Sequence, residues 1–199
     1  MKIKTNYITQ ENKLEMIKYI RDFINDNKEV IIVNIGTDKV MMDLLSPLVG
    51  TILKENNCPL EIYGDLEFPM HAKNLGKRYE QIKIKHPTAK VIGLDACLGD
   101  KSQIGEIQIR DCSIHPGAGV GKNLTPIGDI SIVGFTDESK EFDFFMNSQV
   151  RLSLVYNMAK VISDIILTAL DSSSKNIKFY NRNKSDVIEL NTYKEVAAN

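Results

Sequence analysis

The feature that most constrains this chain is the run from Val30 to Ile35, which is β-branched at every position except Asn34 and which Gly36 ends. Such a run is typical of a strand that is covered on both faces. A polar turn and a predicted helix follow it, so Asp38 and Asp43 come just after the carboxyl end of an early, central strand. Open α/β sheets bind ligands at that edge. We therefore expect any chemistry of this chain to lie there.

The rest of the pattern alternates strands with helices, which predicts an α/β fold. Asn12 and Glu15 have the form of a capping box, and the alternation around Ile107 and Ile109 suits a strand with one exposed face. Helices are predicted from residue 12 and over 43–55, 72–85 and 147–170, and strands over 60–63, 90–94, 105–110, 129–135, 177–180 and 187–190. We expect a three-layer sandwich with a mostly parallel central sheet and helices on both faces, in a single domain over residues 1–199.

Composition narrows the classes of partner and compartment. Lys and Arg total 25 against 26 Asp and Glu, a net charge of -1 with both signs spread along the chain, so nucleic acid and membrane surfaces are not expected partners. No stretch approaches the roughly 20 apolar residues of a membrane span. Cys58, Cys97 and Cys112 show no CxxC spacing, which favours reduced thiols over a disulfide framework or zinc site. These features predict a cytoplasmic protein.

Asp95 is a second strand-end acid, because it follows the apolar run at residues 91–94. An ionised group is costly to bury without partners, so a functional role is the better interpretation of Asp95. Asp43 has a structural alternative: at the first turn of a helix it would act as a cap, and the helix dipole would lower its pKa. Cys97 would be a nucleophile only if a His approached it, and a packed core thiol is the alternative.

A glycine-rich segment follows His115, at residues 116–122. The P-loop pattern fails because Pro116 and Asn123 replace a Gly and a Ser or Thr, and the dinucleotide pattern fails at Lys122. What remains is a turn whose backbone amides line a pocket, as an oxyanion or anion site. Gly117, Gly119 and Lys122 are therefore candidate substrate-binding residues.

Two neighbouring carboxylates suit either of two hydrolytic arrangements. Asp43 and Asp95 can share a proton, one acting as a base towards water and the other as an acid. They can instead hold a divalent metal that activates water, with His71 or His115 as a nitrogen ligand. The alternative for His71 is a surface or capping residue at the start of a helix.

Five blocks of the chain, in order, resemble the YyaC family of sporulating Firmicutes. They are residues 35–50 (IGTDKVMMDLLSPLVG), 63–75 (YGDLEFPMHAKNL), 93–99 (GLDACLG), 116–122 (PGAGVGK) and 151–159 (RLSLVYNMA). That family resembles the spore germination protease and, more distantly, the hydrogenase maturation proteases, which share an α/β fold with a phosphorylase-like sheet. The resemblance therefore implies a peptidase-like domain.

The resemblance also implies roles for individual residues. The germination protease degrades small acid-soluble spore proteins and is similar to aspartic peptidases, and the counterparts of its two essential acids are Asp43 and Asp95. Because Asp38 follows the same strand as Asp43, we also expect Asp38 to support the two acids. In the hydrogenase relatives two acids and a His contact nickel, and His71 or His115 would complete that set here. We expect a sporulation-associated peptidase acting on a protein or peptide, with small acid-soluble spore protein as the candidate substrate.

Two alternatives stay open at this point. The family usually has Gly where Met42 precedes the acid, and Ser46 replaces a second glycine, which favours a catalytically inactive peptidase-like binding protein. A metal-dependent maturation-type protease is the other alternative. The candidate cofactor is a divalent metal, and the candidate assembly is a homo-oligomer.

Overall fold

The computed structural model describes residues 1–116, 125–139 and 150–171. These residues form one six-stranded sheet and its covering helices. The strands are β1 (Lys2–Asn6), β2 (Val30–Asn34), β3 (Glu61–Tyr63), β4 (Lys90–Gly99), β5 (Glu106–Arg110) and β6 (Ile130–Glu138). The α-helices are α1 (Lys13–Asn25), α2 (Leu45–Glu55), α3 (Leu75–Lys85) and α4 (Leu152–Leu170), and short 3₁₀ turns lie at Met41–Asp43 and Lys101–Gln103.

The sheet is mixed, with a parallel centre. Its strand order is β1-β5-β6-β4-β2-β3. Strands β3, β2, β4 and β6 run parallel, while β5 is antiparallel to β6 and β1 is antiparallel to β5. Strand β1 was not predicted, because its apolar positions are separated by lysines. Ile3 and Thr5 are nevertheless buried against the sheet, as a half-covered edge strand requires.

Helices cover both faces of this sheet. The larger core lies between the sheet and α1, α2 and α4, and it includes Ile20, Leu45 and Ile162. The smaller core lies beneath α3 and includes Val33, with Leu75 from the helix itself. The predicted three-layer α/β sandwich with a mostly parallel sheet is therefore confirmed.

Two local predictions are wrong. Asn12 does not cap α1, because its side-chain Nδ2 donates instead to the Lys4 carbonyl (2.8 Å) and so holds β1 against the helix start. Strand β5 was predicted to have one exposed face, but its central polar residue, Gln108, is fully buried. The reason is that β5 is not an edge strand and lies between β1 and β6. Gln108 is satisfied within the strand, where its Oε1 accepts from Arg110 Nε (2.9 Å).

Several boundaries also differ. Helices α2 and α3 begin at Leu45 and Leu75, two or three residues later than predicted, and β4 and β6 continue past their apolar runs to Gly99 and Glu138. The start predicted for α4 at residue 147 and the strands predicted over 177–180 and 187–190 lie outside the described residues.

Helix α4 corrects the expectation that no stretch approaches a membrane span. Among the residues that the structure describes, this 19-residue helix is long and apolar enough, by length and composition alone, to cross a membrane. Its apolar side chains are used differently here: Val155, Ile162 and Ile166 are buried in the larger core. Helix α4 is thus a core helix of an α/β domain.

A candidate active site at the carboxyl edge of the sheet

Asp43 is held close to the end of β2 by a tight turn. Beyond β2, Ile35 N donates to the Leu94 carbonyl (2.8 Å) and Gly36 N to the Met70 carbonyl (2.7 Å). Thr37 N then donates to the Asp43 carbonyl (3.2 Å). Gly36 has φ +148°, and a Cβ there would lie 2.1 Å from that same carbonyl oxygen. Only glycine therefore permits the turn that returns Asp43 to the sheet.

The opposite side of this turn is tied to β6. The Thr136 hydroxyl donates to the Met42 carbonyl (3.0 Å), and Asp43 N donates to the Val40 carbonyl (2.9 Å). Both Thr136 and Met42 are buried. The 3₁₀ turn that carries Asp43 is thus fixed between the ends of two parallel strands.

Asp95 lies in β4, immediately after the last residue that pairs with β2. Leu94 is opposite Asn34 of β2, whereas Asp95 pairs with Val133 of β6. The Asp95 carboxylate accepts a hydrogen bond at Oδ1 from the next backbone amide, Ala96 N (2.9 Å). A regular strand therefore sets the position of this acid.

The two acids interact electrostatically, and we call Asp43 and Asp95 the acid pair. Burial raises the pKa of Asp43. Burial also raises the pKa of Asp95, well above its usual range, and the negative charge of Asp43 raises it further, while the hydrogen bond from Ala96 N opposes the shift. When the acid pair holds a single proton, Asp95 is therefore the residue that carries it.

The structural alternative for Asp43 is wrong. Asp43 ends the 3₁₀ turn, the cap position of α2 is Leu44, and no side chain makes a capping hydrogen bond there. The predicted lowering of its pKa by a helix terminus does not occur, because burial dominates and raises it. Asp43 thus has no evident role in stabilising α2.

Of the other sequence candidates, those that the structure describes make no hydrogen bond to the acid pair. Asp38 is exposed and accepts from the Thr37 hydroxyl (3.5 Å). His71 is half-buried in the turn before α3, where its Nδ1 accepts from Lys73 N (3.3 Å), and His115 is exposed. Gly117, Gly119 and Lys122 lie outside the described residues, so the proposed anion-binding turn stays a prediction.

The described side chains do not form a metal-binding set. Within residues 1–116, 125–139 and 150–171, no three His, Cys, Asp or Glu side chains come together as ligands. The structure brings Asp43 and Asp95 together but adds neither His71 nor His115 to them. A catalytic zinc site takes three protein ligands, as does the nickel set of two acids and a His that the sequence resemblance implies. The described residues do not supply such a set.

Cys97 follows Asp95 on β4 and is a neutral thiol. Burial raises its pKa to about 12, and the charge of Asp95 contributes, against an opposing effect of Arg110. A nucleophilic cysteine needs a thiolate and a nearby base. This environment supports the interpretation of Cys97 as a packed thiol.

Two polar residues at the sheet edge were not singled out from the sequence. Thr136 positions the Asp43 turn, and its signal was a hydroxyl directly after the predicted strand 129–135. Asp65 is a buried acid after β3, but Lys54 pairs with it and Phe68 N donates to its Oδ1 (2.6 Å). Asp65 therefore stabilises its loop, which distinguishes it from the acid pair.

Comparisons with known proteins agree with the sequence resemblance. The family described as "Protein of unknown function (DUF1256)" matches residues 4–165. The chain is 40% identical over 138 residues to the "Uncharacterized protein YyaC" of Bacillus subtilis (strain 168), covering 69% of this chain and 67% of that protein. A crystal structure of the [NiFe] hydrogenase maturation protease HycI from Thermococcus kodakarensis KOD1 aligns with a TM-score of 0.46 at 19% identity, covering 75% of this chain and 99% of that one.

Proposed function

This chain belongs to the DUF1256 family, and we propose that it is a peptidase whose acid pair, Asp43 and Asp95, activates water against a peptide bond. The single observation that carries the proposal is the electrostatic coupling of the two carboxyls at the carboxyl edge of the sheet. Neighbouring acids with pKa values pushed apart are the usual means by which one site supplies both a base and an acid.

The direction of the pKa shifts assigns the two roles. Asp43 ionises first and acts as the base: it takes a proton from water as the water oxygen bonds to the carbonyl carbon. The Asp95 O–H first donates a hydrogen bond to the carbonyl oxygen, where negative charge develops, and transfers its proton to the leaving amine as the carbon–nitrogen bond breaks. The proton that Asp43 took from water then passes to Asp95, which restores the pair to its starting state. Water and peptide are consumed, and a carboxylic acid and an amine are formed.

The inactive binding protein is the alternative that the sequence suggested from Met42 and Ser46. Both residues are buried, Met42 at 4% and Ser46 at 1% exposure. Neither side chain therefore fills the solvent side of the acid pair, and the larger residues do not argue against catalysis. The burial of these two side chains removes that objection to catalysis, and the cleavage assay distinguishes the peptidase from the inactive protein.

The substrate and setting are part of the same proposal. The acid segments resemble those of the spore germination protease, which supports a protein substrate and makes small acid-soluble spore protein the first one to assay. We place the protein in the cytoplasm, where that substrate would be found. The α/β domain with a buried α4 is compatible with this placement.

The test is mass spectrometry of purified small acid-soluble spore protein after incubation with the chain. Discrete fragments are expected from the parent chain, and none from Asp43→Asn or Asp95→Asn. Asp22→Asn is the matched control, because Asp22 is exposed in the last turns of α1, just before β2 begins, and so lies away from the carboxyl edge of the sheet. A second incubation with EDTA should leave cleavage unchanged. Fragments that persist in both acid variants would overturn the assignment.

A further inference from the structure

Strand β4 extends beyond its neighbour β2. Pairing between them ends where Asn34 lies opposite Leu94, although Ile35 N still donates to the Leu94 carbonyl. From Asp95 to Gly99, β4 continues to pair with β6 on its other side. In the described ranges no strand pairs with Asp95–Gly99 on the side that β2 has left.

The alternation of the strand identifies the backbone groups on that side. The Leu94 carbonyl faces β2, and because backbone groups in a strand alternate, Ala96 faces the same way. The register with β6 shifts between Cys97 and Leu98, so the side of Leu98 follows from the next residue, Gly99, which faces the opposite way. The Gly99 carbonyl faces β6, where it accepts from Ser139 N (2.8 Å). We call the N–H and C=O groups of Ala96 and Leu98 the open edge of β4.

Two details indicate that the open edge is available for pairing. The chain after β2 turns away towards Met70, with which Ile35 forms a parallel bridge, and so leaves the position beside Ala96. Within the described part of the chain, the partner of Ala96 N is local, the Oδ1 atom of the preceding Asp95. Residues 95–99 are all half-buried, as expected for a strand covered on one side.

We propose that the open edge of β4 binds the substrate as an extended peptide segment, which adds to the sheet in the position that β2 vacates. This inference rests on the proposed function and names the form of its substrate. Main-chain hydrogen bonds along an unpaired edge are a common mode of peptide recognition. A peptide carbonyl would accept the hydrogen bond that Ala96 N now donates to Asp95 Oδ1. Binding of the peptide would thus free the carboxyl of Asp95, the proposed acid.

The position of the acid pair argues for this occupant over others. Asp95 is the first residue beside the open edge, and Asp43 lies on the turn that follows β2. A strand in that position would therefore carry its backbone carbonyls past both acids. At about 3.3 Å per residue, Asp95–Gly99 offers a length for roughly four or five peptide residues.

Backbone amide hydrogen exchange in the free protein gives the first test. Leu98 N–H should exchange at least about 100-fold faster than the amides of Cys97 and Gly99, which face β6. Protection of Leu98 equal to that of its neighbours in the free protein would show that another segment of this chain already occupies the edge, and would overturn the proposal.

Peptide binding gives the second test, with random-sequence dodecapeptides capped at both ends as the probe. Binding is followed by affinity selection and mass spectrometry, and the retained peptides are then titrated. Leu98→Pro removes the edge N–H and should weaken binding at least about tenfold, since proline cannot donate to a ladder. Leu98→Ala removes the side chain but keeps the N–H, and should change binding less than about twofold. Matching circular dichroism and denaturation midpoints control for folding.

The outcomes separate this inference from the peptidase proposal. Binding that Leu98→Pro abolishes, without cleavage by the parent chain, supports the open edge and refutes the peptidase. If Leu98→Pro and Leu98→Ala cleave peptides equally fast, the open-edge proposal is refuted and the peptidase proposal is not. If the parent chain neither binds nor cleaves any peptide, both proposals are refuted.

Discussion

The negative charge of Asp43 raises the pKa of Asp95, which the surrounding protein already raises by burial. These residues are distant in sequence and reach one another because β2 and β4 are adjacent and parallel. One acid follows a glycine turn and the other lies within a strand. The coupling therefore depends on the turn at Gly36 as much as on the acids themselves.

Replacing Asp95 by Asn should stabilise the protein at neutral pH. A carboxyl whose pKa is raised on folding favours the protonated folded state, so stability is fully present below the unfolded pKa near 3.8 and is lost as pH rises through the folded pKa. Asn cannot ionise and keeps an oxygen for Ala96 N. The gain in melting temperature, about 2–4 °C per kcal/mol for a chain of this size, should be present at pH 7–8 and vanish below about pH 4.

Asp38→Asn is the control for that comparison, because Asp38 is exposed. At pH 7 its melting temperature should stay within about 2 °C of that of the parent chain, as for most substitutions of exposed residues. Equal stability of Asp95→Asn and the parent across the whole pH range would contradict the raised pKa.

Gly36→Ala should displace the Asp43 turn. The added Cβ meets the Asp43 carbonyl oxygen at 2.1 Å, and φ +148° is strained for any side chain. We expect a loss of about 2 kcal/mol or more in urea denaturation, together with loss of peptide cleavage. Gly76→Ala is the matched control: its Cβ meets nothing within 4 Å in α3, and it should gain about 0.5–1 kcal/mol with unchanged activity.

Thr136→Val should loosen the same turn from the other side. The substitution keeps the side-chain volume but removes the hydroxyl that donates to the Met42 carbonyl, and leaves that carbonyl unpaired in a buried place. A cost of about 1–3 kcal/mol is expected in the free energy of unfolding. Thr136→Val should also cleave peptides more slowly than the parent chain, because the Asp43 turn is loosened. Thr136→Ser keeps the hydroxyl donor and should cleave at a rate close to that of the parent. If Thr136 acted only through packing, Val would instead be the better replacement.

Cys97 should be unreactive towards iodoacetamide. With a pKa of about 12, only about one thiol in 10,000 is ionised at pH 8, whereas Cys112 is exposed to the reagent. Peptide mapping over time should show alkylation of Cys112 long before Cys97, and Cys97→Ser should cleave peptides at a rate within about twofold of the parent. Rapid modification of Cys97 with loss of activity would revive the nucleophile hypothesis.

Much of the architecture was predictable from periodicity. The buried run at Val30–Asn34 and the apolar stripes of α2 and α4 required a covered parallel sheet, and from that sheet the proximity of Asp43 and Asp95 followed. Strand β1 could not be predicted, because its pairing with β5 depends on a partner about 100 residues away and not on its own composition.

The details of the site depended on contacts that no local pattern encodes. Neither the Thr136–Met42 hydrogen bond nor the close approach of Gly36 to the Asp43 carbonyl has a signature in the sequence beyond the residue types. The helix-cap interpretation of Asp43 failed for a related reason: a 3₁₀ turn precedes α2, and burial rather than a helix dipole sets the direction of its pKa.

The most direct test of the coupled acid pair is a ¹³C NMR titration of the Asp95 carboxyl in the parent chain and in Asp43→Asn. In the parent, the pKa of Asp95 should lie well above 3.8, the ordinary value for an aspartate, and removal of the Asp43 charge should move its titration to lower pH. Titration of Asp95 near 3.8 in the parent, or at the same pH in both proteins, would contradict the coupling on which the proposed mechanism rests.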